Sequence, residues 1–167
     1  MDVTAKIKER MNTEQLIRVL GSVIAIAALG VMYYFYDLPL LIASFGSSAV
    51  TLFALPNAPA ARPKNVILGQ FSSAVCGWVA QYLLGSTWYG AAVAVACSLI
   101  VMVLLDCVHP PGGATALTAV ISPQQWTFIF APVAIGAIFL VLISIVTERC
   151  IRHYKDRKAE DDSSDGQ

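Results

Sequence analysis

The sequence predicts an all-α, polytopic membrane protein with four long transmembrane helices and two broken or re-entrant helical segments. Three observations carry this. Of 167 residues, 57% are hydrophobic and 13% charged, against about 25% charged in soluble domains. Between Gln15 and Thr147 the ionised residues are Arg18, Asp37, Arg62, Lys64 and Asp106, with His109 the sole histidine of that stretch. Apolar runs of membrane-spanning length alternate with shorter ones that carry Gly, Ser and Pro in mid-segment.

Residues 1–15 form an N-terminal segment in which Thr4 to Met11 mixes Lys6, Lys8, Glu9 and Arg10 with Ile7 and Met11, as a short surface helix would. Asn12, three residues before Gln15, resembles a capping box for the helix that follows. Leu16 to Tyr36 is the first span, with Tyr33, Tyr34 and Tyr36 as an interfacial cluster and Asp37 and Pro39 closing it. It exceeds a signal-peptide core and lacks a clear small-residue cleavage site, so it reads as retained. Val66 to Leu84 and Trp88 to Leu105, joined by Gly85-Ser86-Thr87, are antiparallel neighbours. Phe128 to Val146 is the fourth span, completing a transmembrane domain over 16–146. In the tail, 147–167, Arg149, Arg152, Lys155, Arg157 and Lys158 predict a cytoplasmic C-terminus, and Ala159 to Gln167 reads as disordered.

The two remaining segments, Leu38 to Pro56 and Val108 to Pro123, are interrupted. Gly46-Ser47-Ser48-Ala49-Val50-Thr51 can be laid against Gly112-Gly113-Ala114-Thr115-Ala116-Leu117, which suggests repeats at 16–84 and 88–146. Three crossings per half would invert the second half, as in transporters built on discontinuous helices. Re-entrant loops are the alternative. Both arrangements bring the termini together in the cytoplasm, but Arg62 and Lys64 lie there only if Leu38 to Pro56 crosses, which the positive-inside rule favours.

His109 to Thr115 reads HPPGGAT. Irregular backbone at membrane depth persists only where protein or a water-filled cavity satisfies it. Pro110 and Pro111 ahead of Gly112 and Gly113 fit a helix beginning near Pro111, whose free amides and partial positive charge suit an anion. Ser47, Ser48 and Thr115 offer hydroxyl donors, with Ser44 as a further candidate, and Gly46 permits close approach. Gly46-Ser47-Ser48 taken alone suits a helix interface better than a site. Two prolines and two glycines in succession argue against an interface at HPPGG. Asp106 and His109 are candidates for proton handling or gating, with the headgroup interface as the plainer reading. Asn65 is a possible site residue whose simpler role is to cap the helix at Val66.

A net charge of zero and the lack of a basic stripe exclude nucleic-acid binding. Cys76, Cys97, Cys107 and Cys150 show neither CxxC nor His-paired spacing, so no metal is expected and they read as small hydrophobes. The absence of a nucleophile elbow, His-Glu-x-x-His motif or phosphate loop argues against an enzyme, and no cofactor is expected.

His109-Pro110-Pro111 with Ala114-Thr115, Ser44 to Ala49, and Arg62-Pro63-Lys64-Asn65-Val66 resemble the recurrent motifs of the HPP family of small integral membrane proteins. The resemblance covers most of Leu16 to Val146 and implies four spans and transport of nitrite or a related small anion. Where the family carries a basic residue or histidine in the Arg-Pro-x-Asn-Val-x-x-Gly stretch, this chain has Lys64 and Gln70. Gln70 argues against proton handling there. The lack of a Ser/Arg-rich transit peptide points to a bacterial inner membrane rather than a plastid. The combined expectation is a small-anion permease that forms a homo-oligomer and binds through Gly46, Ser47, Ser48, Pro110, Pro111, Gly112, Gly113 and Thr115. The alternative is a non-transporting structural or sensory membrane subunit.

Overall fold

The computed structural model describes residues 12–36 and 43–164, with side chains as far as Glu160. Among these, six α-helices and three short turns form an all-helical protein: α1 (Thr13–Tyr36), α2 (Ala43–Ala54), α3 (Pro63–Leu84), α4 (Trp88–Leu104), α5 (Pro111–Ile121) and α6 (Ile135–Ser164). The expected surface helix before Asn12 and the closing role of Asp37 and Pro39 lie outside the described residues.

Local chemistry sets most boundaries. Asn12 Oδ1 accepts from the Gln15 N–H at 2.9 Å, satisfying an amide at the start of α1. Pro63 and Pro111 open α3 and α5, where a missing N–H costs nothing. Arg62 precedes α3, and Asn65 instead donates from Nδ2 to the Pro59 carbonyl at 3.0 Å, tying the helix to the 3-10 turn Pro59–Ala61. The expected Asn65 cap is therefore corrected: the helix starts three residues earlier, so its side chain faces back to the connector. Thr87 caps α4 by accepting from the Gly90 N–H at 3.1 Å. Ala131 departs from helical geometry (φ −128°, ψ 116°) just before Pro132 and kinks the entrance to α6. The tail expected to be disordered from Ala159 is helical to Ser164, continuing a run of strong helix formers that includes Lys155, Arg157, Lys158, Ala159 and Glu160.

Among the described residues, three stretches are long and apolar enough to cross a membrane: Thr13–Phe35, Pro63–Leu84 and Trp126–Glu160. The fourth expected span, α4, has 17 residues, or about 25 Å against a hydrocarbon core of about 30 Å. α2 and α5 have 12 and 11 residues, half the length a crossing needs. Large apolar side chains such as Val23 and Ile24 on α1, and Leu99 and Ile100 on α4, are exposed, as on helix faces that meet lipid.

The helices divide into two groups of three. α1, α2 and α6 pack together around Ala25, Leu29, Phe45, Leu52, Phe53 and Leu140, while α3, α4 and α5 meet at Ala80, Ala91, Ala94, Ala116 and Val120. The groups join through α2 with α5 and α3 with α6. α1 and α6 run antiparallel, shown by the Arg18–Glu148 and Glu14–Lys155 ion pairs. The start of α1 and the end of α6 therefore share one end of the molecule. The connector after α2 lies at that end as well, since Pro56, Ala61 and Pro63 line a cleft with Glu148 and Arg152.

The backbones of α3 and α5 approach each other closely. A Cβ at Gly77 would lie 2.6 Å from the Ala116 carbonyl oxygen, and one at Gly112 would lie 3.0 Å from the Gly69 carbonyl oxygen. Gly69, Ser73 and Gly77 recur every four residues along α3, a small-residue seam that lets two backbones touch in a membrane. Gly112 thus does build a helix interface, contrary to the expectation for HPPGG. The reason is that α5 starts immediately before it, so this glycine already lies in a helical turn.

Candidate functional site

The two short helices meet across the boundary between the groups. Ser44 and Ser48 lie one turn apart on the same face of α2, and both are fully buried. Opposite them stand Gln70 of α3, Thr115 of α5 and His109 in the loop before α5, each with no exposed surface. Ser44 pairs with Thr115 at 2.8 Å, and Ser48 pairs with His109 Nε2 at 2.8 Å. Rising numbers on α2 meet falling numbers on the other side, so α2 and α5 overlap antiparallel through their first turns.

These contacts join into one line. The Ala60 carbonyl can only accept, so His109 Nδ1–H must donate to it, at 2.9 Å. In the neutral imidazole Nε2 is then an acceptor, and it accepts a hydrogen bond from the Ser48 hydroxyl. Ser48 Oγ in turn accepts from Gln70 Nε2 at 2.8 Å. Gln70 Oε1 accepts from Thr115 Oγ1, which leaves Thr115 to accept from Ser44. Five side chains and one carbonyl form an unbroken polar seam in which every donor points toward Ala60. Leaving one such group unmet costs about 1–3 kcal/mol, and among the described residues no buried side-chain nitrogen or oxygen lacks a partner.

Chain reversal after α4 positions the histidine. Asp106 adopts φ 47°, a left-handed turn that ends α4, and the Cys107 N–H closes back on the Met102 carbonyl at 2.9 Å. The chain then heads into the protein, burying Cys107 and His109 while Asp106 stays outside, 3.7 Å from Lys64 Nζ. Asp106 and His109 therefore point apart, because the loop is not the helix that would have put them on one side. The two belong to different environments: one is a surface ion pair and the other a core network.

The amides expected to be free for an anion are paired within the chain, because the turn that leads into α5 supplies their acceptors. The Gly112 N–H donates to the His109 carbonyl at 2.8 Å and the Gly113 N–H to the Pro110 carbonyl at 3.1 Å. Pro111 is buried, whereas Pro110 is exposed. Gly46 and Ser47 face away from the seam, and Gly46 lines a cleft of about 310 Å³ between α1 and α2 together with Gln15, Arg18 and Ser22. Of the sequence candidates, the fold brings Ser44, Ser48, His109 and Thr115 together and leaves Gly46, Ser47, Asp106 and Asn65 elsewhere. Gln70 and the Ala60 carbonyl were missed. Gln70 had a legible signal, as an uncharged amide inside an apolar span; a backbone carbonyl had none. Among the described residues no three His, Cys, Asp or Glu side chains gather as metal ligands.

Comparison with known proteins places this architecture. The family described as HPP, transmembrane region, matches residues 8–155. A transmembrane protein of Dictyostelium discoideum is 40% identical over 124 residues, covering 70% of this chain and 44% of that protein. A second transmembrane protein of that organism is 34% identical over 148 residues, covering 81% of this chain and 48% of its own length. The chain thus spans about half the length of these relatives. No solved structure matches it. The match runs through all six helices and the seam between them, and the chain belongs to the HPP transmembrane family.

Proposed function

We propose that this membrane protein carries a small inorganic anion, nitrite by preference, along the seam between its two helix groups. The observation that carries this reading is the buried polar line from Ser44 to the Ala60 carbonyl in an otherwise apolar, membrane-embedded chain. Polar residues at membrane depth mark substrate pathways, and binding sites in transporters lie where broken helices meet. Hydroxyls, a carboxamide and an imidazole can hold an anion without a fixed cation and release it again. Pro110, Pro111, Gly112 and Gly113 serve by ending one chain direction and starting α5 at depth. Nitrite comes from the resemblance of the HPP, Ser-Phe-Gly-Ser-Ser and Arg-Pro-Lys-Asn motifs.

The helix contacts also favour an inverted repeat. Exchanging α1, α2 and α3 for α4, α5 and α6 turns the α1–α6 contact into α4–α3, α1–α2 into α4–α5 and α2–α6 into α5–α3, and maps α2–α5 and α3–α6 onto themselves; all these contacts are present. In that arrangement each short helix forms part of a crossing rather than the whole of one, and Arg62 and Lys64 join the C-terminal basic run on the cytoplasmic side. A bacterial inner membrane and a homo-oligomer complete the proposal.

The test is nitrite uptake into proteoliposomes containing the purified full chain. Ser48→Ala and His109→Gln are expected to cut the rate at least tenfold, with Ser47→Ala as the control on the outward face of α2. Unchanged flux in the first two removes the seam as the path. No protein-dependent flux leaves the seam as an interhelical brace, the structural reading favoured by its complete internal pairing.

A further inference from the structure

The direction of the seam is fixed at one end. With Nδ1–H held by the Ala60 carbonyl, neutral His109 offers a lone pair to Ser48, and every later donor must follow suit as far as Ser44. A proton added at Nε2 removes that lone pair. Ser48 Oγ must then accept from the imidazolium, and its own hydrogen, no longer held by Nε2, is released to turn to Gln70. The carboxamide can receive it only with its oxygen facing Ser48. A half-turn about the terminal bond of Gln70 achieves this and presents its NH₂ to Thr115, whose hydroxyl hydrogen is pushed on to Ser44. Ser44 ends with its own hydrogen released from the seam.

We propose that His109 is a proton-binding site whose occupancy reverses the seam through Gln70, so that anion passage is linked to a proton. This rests on the transport reading above. The balance is simple: one proton from water is bound at Nε2, no other O–H or N–H bond breaks, and three hydroxyls and one carboxamide reorient. Both directions keep every link in the line, which distinguishes this set from a brace with one stable pattern. Gln70 acts here as a positioning residue. A residue with two chemically different ends is needed at that point, since a carboxylate would accept from both neighbours and a cation donate to both, and neither would pass a direction along the line.

The charged groups around the loop do not compete for the site. Asp106 and Lys64, on the α4 end and α3, pair with each other at the surface, and Arg62 on the connector is exposed. Glu148 of α6 pairs with Arg18 of α1. Cys107, two residues before His109, is buried in the same loop. From α2 the imidazole meets Ser48, from the connector Ala60, and from α3 the Gly69 backbone region, none of which is titratable. The imidazolium charge would therefore be unopposed by a carboxylate, leaving the anion as its counter-charge.

The experiment pairs magnetic resonance with flux on the full chain in lipid. With ¹⁵N-labelled histidine, His153→Gln leaves His109 as the remaining ring to observe. The expected result is an Nδ1–H tautomer at high pH, both nitrogens protonated at low pH, and Gln70 carboxamide resonances that move with the same midpoint. An Nε2–H tautomer, or Gln70 signals indifferent to the His109 titration, overturns the reversal. In nitrite uptake, with protein-free vesicles subtracting passage of the neutral acid, an inward proton gradient should raise the wild-type rate at least fivefold. Gln70→Leu should lose that response. Thr115→Val, which cuts the line beyond Gln70, should lose it too while His109 still titrates. A gradient response surviving in both variants, or gradient-independent wild-type flux, overturns the linkage. If nitrite does not move at all, the transport reading fails, and the resonance correlation still judges the reversal.

Discussion

Gly77→Ala tests the contact that seats α5 against α3. The added Cβ would lie 2.6 Å from the Ala116 carbonyl oxygen and 2.8 Å from the Ala116 Cα. Both are backbone atoms, so no rotamer change relieves the overlap. Restoring an ordinary 3.4 Å contact displaces α5 from α3 by about 0.8 Å. Overpacking of this kind costs about 1–3 kcal/mol, while alanine recovers about 1 kcal/mol of helix propensity. Because the obstruction is rigid the upper end applies, giving a net loss of about 2 kcal/mol. Thr115 precedes Ala116, so the same displacement would lengthen the Thr115–Gln70 hydrogen bond, which crosses between the same two helices. Stability falls and transport falls with it. Gly46→Ala meets nothing within 4 Å and Gly113→Ala meets only Val95 Cγ1 at 4.0 Å, so both should be neutral or stabilising. Unfolding in mixed micelles of increasing denaturing-detergent fraction measures the three. A Gly77→Ala protein as stable as Gly46→Ala refutes the close crossing.

Other outcomes follow from the same geometry. Thr115→Val keeps the shape but leaves Gln70 Oε1 without its donor, and unfolding should show a loss of about 1–3 kcal/mol. Arg18→Ala strands Glu148, whose side chain is 31% exposed against 13% for Arg18. That partial exposure discounts the cost of a fully buried pair to about 1–3 kcal/mol, and Arg18→Met with Glu148→Leu should restore most of it. Asp106→Asn removes only a surface partner of Lys64 and should change neither melting temperature nor flux. Asp106→Val puts a β-branched residue at φ 47° and should lower the melting temperature.

Much of the helix pattern was legible in the chain because the bilayer imposes lengths and local chemistry imposes ends. Thr13–Tyr36, Pro63–Leu84 and Trp88–Leu104 each begin and end within three residues of the expected limits, since apolar runs, prolines and the Gly85-Ser86-Thr87 turn act over one or two helical turns. The interrupted segments likewise contain the two short helices expected of them. Boundaries failed where the signal was weak: charged residues after Val146 continue a helix as readily as they begin a tail.

The site was legible only in part. Ser44, Ser48, His109 and Thr115 were visible as polar residues in apolar surroundings, yet which of them meet depends on contacts between residues 22 to 71 positions apart. A periodic pattern reports which side of its own helix a residue occupies, and it carries no information about the helix opposite. Chain reversal at Asp106 separated that carboxylate from His109, and the Gly69-Ser73-Gly77 seam brought α5 close enough for Gln70 to reach Thr115. Element type and membrane character thus follow from composition and local order along the chain. The polar line, its direction and its place between two helix groups follow from packing, because a hydrogen bond needs its partner within about 3 Å and distant segments meet there only in the fold.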